Sequence, residues 1–145
     1  MRLEGLRQGL DGQFELMELN ADWTGEGARM VVESWAVDIT SKEDFPAAIV
    51  AQNDEMALGV RQALRDIDSR RDWPVAHTPI TGCDGAADFG QRLVREGRLM
   101  ATVIMPPSSG TAIEWIDKAR KGHTLPPVRV LLPVVSFPSL QSLKP

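Results

Sequence analysis

The sequence predicts an α/β fold: a parallel sheet flanked by helices. Three observations carry that expectation. Short apolar runs, such as residues 48–51 and 101–105, have the length of single buried strands. Runs with helical period follow them; Met56, Ala57, Val60, Ala63, Leu64 and Ile67 recur at i, i+1, i+4, i+7, i+8 and i+11, one face of a helix. Strand and helix patterns then alternate with short links, the signature of a parallel sheet covered by helices and joined by right-handed crossovers.

Taken in order, Leu3, Leu6 and Leu10 are helically spaced, with Gly12 as the stop. Residues 14–19, Phe-Glu-Leu-Met-Glu-Leu, read as a strand. Thr24 or Gly25 opens a helix whose apolar stripe is Ala28, Val31, Val32, Trp35, Ala36 and Ile39. A polar loop spans residues 41–46. The strand at residues 48–51 ends in Gln52-Asn53-Asp54, and the central helix begins there. A charged, Pro-containing connector follows at 68–79, then a third strand at 79–84. Ala86, Phe89, Gly90, Leu93, Val94 and Gly97 mark another helical face before the strand at 101–105. Pro106-Pro107-Ser108-Ser109 stops that strand and starts a helix with Ala112, Ile113, Ile116 and Ala119 on its apolar side. A last apolar strand is read at 128–135, interrupted by Pro133, with a tail from Pro138. Trp35 reads as core, and Trp73 and Trp115 as surface or interface residues.

Composition removes several function classes. A net charge of −4 gives no electrostatic case for nucleic-acid binding. No apolar run approaches the roughly 18 residues that span a bilayer, and the chain does not open on the apolar core of a signal peptide. One cysteine, Cys83, allows no internal disulfide. CxxC, HExxH and Walker motifs are all missing, and His77 and His123 lie far apart, so neither a cofactor nor a metal is expected. An enzyme on a flavodoxin-like scaffold would need a phosphate-cradling Gly-rich loop after the first strand, and Asn20-Ala21-Asp22-Trp23 is not one. Asp54 and Glu55 are adjacent and do not face each other on a helix, which weakens a paired-carboxylate hydrolase. Cys83 has no base near it in sequence and reads as an inert thiol.

Ligands of open α/β sheets bind just outside the carboxyl ends of the strands. Asn53, Asp84 and Met105 end three strands and are therefore expected on one rim. Asp84, with Gly85 beside it to allow a tight turn, is either a ligand carboxylate or the cap of the next helix. Asn53 can contact a ligand through its amide or cap the helix, and Asp54 is expected to be the cap.

The stretch Ala51-Gln52-Asn53-Asp54-Glu55-Met56-Ala57-Leu58-Gly59 closely resembles the second-lobe signature of periplasmic sugar-binding proteins of the ribose and galactose type. Lactose-repressor-type regulators share that fold. Ile80-Thr81-Gly82-Cys83-Asp84-Gly85 is similar to the family's strand ending in Gly-Phe-Asp-Gly. Gly97-Arg98-Leu99-Met100-Ala101-Thr102 is similar to its G-x-L-x-A-T stretch. The resemblance covers nearly the whole chain, as the C-terminal half of such a protein. It implies a Rossmann-like lobe of a type I periplasmic binding protein at 1–105 that lacks its first strands. A hinge crossing and a helix at 106–131 would pack on the other lobe, and a return strand and tail would follow at 132–145.

The implied function is the substrate-binding component of a sugar ABC transporter, periplasmic in its parent protein. Its implied partners are a monosaccharide or similar polyol, the missing N-terminal lobe and the transporter permease. The orphan face of helix 108–121 would also allow self-association. The alternative is the effector-binding domain of a lactose-repressor-type regulator. The resemblance makes Asn53 and Asp84 sugar ligands. Cys83 stands where the family often has an aromatic residue, and Met105 where it often has Gln, so a ligand other than ribose is expected. The family's sugar-binding Arg falls just upstream of Met1 in this register, which leaves Arg2 outside the site. Trp23 is expected to pack locally rather than stack on a ligand.

Overall fold

The structure, a computed structural model, describes residues 2–122 and 130–143. Its helices are α1 (Arg2–Leu10), α2 (Gly25–Val37), α3 (Asp54–Arg71), α4 (Gly90–Arg95) and α5 (Ser108–Arg120). Its strands are β1 (Ile49–Val50), β2 (Ile80–Asp84), β3 (Ala101–Ile104) and β4 (Val135–Phe137). They form one sheet in the order β1-β2-β3-β4. The first three are parallel, with Val50 opposite Thr81 and Asp84 opposite Ile104. β4 runs antiparallel to β3.

Side-chain period explains the layers. In α3 the expected stripe, Met56, Ala57, Val60, Ala63, Leu64 and Ile67, is buried. It meets Ala28, Val32 and Ala36 of α2 on one side and Ile80 of β2 on the other. Thr24 caps α2 by accepting from the Gly27 N–H at 2.9 Å. Asp72, in the left-handed conformation, closes α3. Trp73 corrects the surface assignment: it is half-buried against the core, edge-on to Phe45. Trp35, read as core, is likewise half-buried: it packs against the core, with its ring centre 5.1 Å from that of Phe45. Trp115 is half-buried on α5, with the Lys118 ammonium 4.9 Å from its ring centre.

Three segments depart from the sequence reading. Residues 14–19 form no strand: they are exposed throughout and make no backbone hydrogen bond with another described residue. The alternation in Phe-Glu-Leu-Met-Glu-Leu suits a sheet, but no strand lies beside it to pair with. The final strand is Val135–Phe137 instead of 128–135. Residues 130–134 are not strand, and 128 and 129 lie outside the described residues. Pro133 lacks the N–H a ladder needs, so pairing begins only beyond it. In the third, α4 begins at Gly90, after a turn at 86–89, because the Gly85–Phe89 backbone is occupied in bending away from β2.

Asp54 is the tie between these elements. It is 2% exposed at the first turn of α3. Its Oδ2 accepts from the Gly85 N–H at 2.8 Å, and its Oδ1 accepts from the Thr102 hydroxyl at 2.6 Å. One carboxylate thus joins the start of α3, the turn after β2, and β3. Glycines make the room. A Cβ at Gly82 would fall 2.2 Å from Oδ1, and one at Gly90 would fall 1.9 Å from Oδ2. Asp54 is therefore not the cap expected of it. The cap of α3 is Asn53, whose Oδ1 accepts from the Met56 N–H at 2.7 Å. Burial raises the Asp54 carboxyl above the usual aspartate range, against the opposing pull of the Thr102 and Gly85 hydrogen bonds.

Two predictions follow from the packing and the tie. Leu64, fully buried between α2 and the sheet, should lose about 2–5 kcal/mol of stability as Leu64→Ala in urea unfolding. Asp54→Ala orphans two buried donors and should cost about 2–3 kcal/mol. Asp54→Asn can still accept from Gly85 while its amide donates to a reoriented Thr102 hydroxyl, so it should cost under about 1 kcal/mol. The native protein and the Asp54→Asn variant also separate in pH. With a folded-state value raised above the unfolded one, the native protein binds more protons, so the Asp54 contribution is greatest at acid pH. It falls as pH rises from the usual aspartate value through the raised one. Stability profiles of the native protein and Asp54→Asn should diverge across that window and run parallel above it.

Candidate functional site

Parallel pairing of β1, β2 and β3 puts their carboxyl ends on one rim. Asn53, Asp84 and Met105 therefore lie side by side, as expected. The Met105 N–H donates to the Asp84 carbonyl at 3.1 Å, which sets the second and third tips in direct contact. The rim is an open shelf. Two shallow depressions elsewhere on the surface, of about 350 and 410 Å³, are lined by none of these three residues.

Asp84 is the exposed acid of the shelf, with 53% of its side chain open to solvent. Its backbone has φ 105°, a region costly for a residue with a Cβ. The strain is held by its surroundings: Gly85 N–H is fixed on Asp54 and Gly85 carbonyl accepts from Gln91 Nε2 at 2.9 Å. Asp84 does not cap the next helix; α4 starts at Gly90 with no side-chain cap. Its carboxylate is thereby left to face outward.

Asn53 serves the fold with part of its amide. Oδ1 caps α3, and Nδ2 donates to the Trp23 carbonyl at 3.1 Å. An amide carries two N–H donors and two acceptor lone pairs, so one of each remains. Cys83 is half-buried, and burial raises its thiol above the usual range, which leaves it protonated and unreactive. Met105 is 41% exposed at the rim and offers only an apolar, polarisable surface.

Two residues that the sequence reading set aside belong to the shelf. Arg2 Nη2 lies 3.1 Å from Asp84 Oδ1, and its Nη1 donates to the Gln52 carbonyl. The same guanidinium sits 5.7 Å from the centre of the Trp23 ring. Trp23 itself is 60% exposed with φ 68°, so it stands on the rim instead of packing locally. Linear register could not reveal this: Arg2 reaches across 82 positions from the first turn of α1. Among the described residues no group of three His, Cys, Asp or Glu side chains could hold a metal ion. His123 lies outside those residues.

The shelf therefore presents an exposed carboxyl, a guanidinium, an amide with spare capacity and an aromatic face. Such a set suits a small polyhydroxylated molecule, whose hydroxyls both donate and accept and whose ring face is apolar.

Comparison with known proteins bears on this arrangement. No protein-family model matches the chain. It is 32% identical over 126 residues to the ribose import binding protein of Haemophilus influenzae, covering 84% of this chain and 39% of that protein. It is 38% identical over 78 residues to the ribose import binding protein of Salmonella typhimurium, covering 52% and 24%. Among solved structures, the fructose-binding periplasmic domain of a hybrid two-component system superposes with a TM-score of 0.75 at 18% identity, over 98% of this chain and 45% of that one. The periplasmic binding protein of an arabinose ABC transporter from a Shewanella species, bound to L-arabinofuranose, gives 0.66 at 25% identity, over 85% and 40%. The matches thus take in between a quarter and just under half of each partner's length. By sequence the chain is similar to ribose import binding proteins, and by fold to periplasmic sugar-binding proteins, and it spans less than half the length of each.

Proposed function

We propose that the shelf is one side of a sugar-binding cleft in the solute-binding component of a sugar importer. The observation that supports this most is the convergence of Asp84, Asn53 and Arg2 at the carboxyl ends of adjacent parallel strands. In this reading Asp84 accepts from one or two sugar hydroxyls, and Asn53 donates to one and accepts from another. Arg2 orients the Asp84 carboxylate, and Trp23 borders the ring face. Cys83 and Met105 line the site without gripping it, which favours a guest other than ribose. The reaction is binding only, with no chemical step. The relatives are named as import binding proteins, and no observation favours the repressor-type reading.

The rest of the chain fits a two-lobed protein. Residues 1–105 make the lobe that carries the shelf, 106–131 a crossing and helix, and 132–145 a return strand and tail. α5 has no buried residue, and Ile113 and Ile116 are 66% and 61% exposed, as expected of a helix written to pack on a companion lobe. Hinge closure of the two lobes over the sugar would then present a surface to the transporter permease in the periplasm. Isolated chains would instead associate through α5.

Amide chemical-shift titration of this chain with millimolar D-ribose, L-arabinose, D-fructose and D-galactose tests the reading. Shifts should centre on residues 53, 84 and 85 for at least one sugar, and Asp84→Ala should weaken that binding tenfold or more, the loss of a hydrogen bond to a charged group. Absence of a response to every sugar, or shifts centred away from the strand tips, would overturn it. In the longer protein with both lobes, calorimetry should show sub-micromolar affinity for a sugar other than ribose.

A further inference from the structure

A second polar cluster lies at the opposite end of the sheet and takes no part in the shelf. Arg61, on the second turn of α3, is 6% exposed. Its Nε donates to the Arg98 carbonyl at 2.8 Å, and its Nη1 donates to the Ala76 carbonyl. These two carbonyls belong to the loops that lead into β3 and β2. Arg65 is one helical turn from Arg61 on the same face, where like charges repel. Arg98 carries a third guanidinium beside them, and its Nε is buried with no hydrogen-bond partner among the described residues.

The Arg61 guanidinium thus sits where the loops into β2 and β3 begin, with Arg65 and Arg98 as its neighbouring cations. Among the described residues one carboxylate, that of Glu96, pairs with a member of the cluster. Glu96 Oε2 is 3.9 Å from Arg98 Nη1, too long for a direct hydrogen bond. Asp68, on the same helical face, spends its Oδ2 on the Ala76 N–H at 3.0 Å. Among the described residues Arg65 makes no ion pair. Burial and the two neighbouring cations push the Arg61 guanidinium below its usual range, the direction expected of a cation lacking a counter-charge.

We propose that Arg61, Arg65 and Arg98 form a binding site for one small tetrahedral oxyanion, inorganic phosphate or a phosphate monoester. A planar guanidinium offers paired N–H donors that match two oxygens of such an anion, and three of them around one point favour a dianion over chloride. Arg61 is the fixed member, anchored by two carbonyls. Arg65 and Arg98 are the adjustable arms. Occupancy would tie α3 to the loops before β2 and β3 and so stabilise the lobe from the end away from the sugar shelf.

Thermal unfolding of the full chain at constant pH and ionic strength, with phosphate replacing chloride, tests the site. A ligand at about ten times its dissociation constant should raise the midpoint by about 4 °C for a domain of this size. Phosphate also stabilises proteins by exclusion from their surface, without a site. The variants separate the two effects. Arg65→Gln alters an exposed side chain, and Arg98→Gln keeps the backbone carbonyl that Arg61 uses, so both should fold and both should lose most of the rise. The proposal is supported if the rise saturates at low millimolar phosphate and is lost in both variants. An equal rise in both variants, a rise that grows without saturation, or no rise in the native chain would each overturn it. Glycerol phosphate should act like inorganic phosphate if monoesters are taken, and failure of the ester alone narrows the ligand to the free anion.

Discussion

A single buried carboxylate holds the architecture in register. Asp54 sits where a helix, a turn and a strand must meet, and it satisfies the Gly85 amide and the Thr102 hydroxyl at once. Burying a charge is unfavourable unless hydrogen bonds compensate. Here the compensation dictates residue types elsewhere: Gly82 and Gly90 are the only kind of residue that leaves space for both oxygens. The turn thus fixed carries Asp84 into a backbone conformation it would not choose alone. The exposed acid of the shelf owes its position to the hidden acid behind it. Burial and exposure are divided between two aspartates that lie 30 residues apart in the chain and are joined through the Gly85 turn.

Much of this was legible from the sequence, for physical reasons that differ by element. The α3 stripe was readable because a long helix between two layers must be apolar on a wide face, and six positions repeat that requirement. β2 and β3 were readable because strands buried on a sheet interior are short and continuous in apolar residues. The strand tips followed from the parallel arrangement itself. Residues 14–19 misled because alternation reports what a segment can pair with, not whether a partner stands beside it. The cap of α3 fell to Asn53 and not to Asp54 for a similar reason. Both are good caps by type, and only the depth of the pocket formed by Gly82 and Gly90 decides which carboxyl or amide turns inward.

The site was half legible. Asn53, Asp84 and Met105 announced themselves by ending strands. Arg2 and Trp23 did not, since each arrives from a segment that sequence order places far from β2. A guanidinium that bridges the Gln52 carbonyl and the Asp84 carboxylate ties α1 to the sheet at a place where α1 contributes no buried residue. Arg2 thus joins an otherwise loosely attached helix to the rim. In the proposed function that link makes the position of α1 sensitive to what Asp84 is holding.

The solvent-facing run of Phe14, Leu16, Met17 and Leu19 has a practical side. Its main chain makes no backbone hydrogen bond with another described residue, and its residues have the composition of a segment that stacks readily with copies of itself. Glu15 and Glu18 interrupt the run, and Glu18 is engaged by Arg7 of α1. Those two acids are what would keep concentrated solutions of the chain from growing cross-β assemblies.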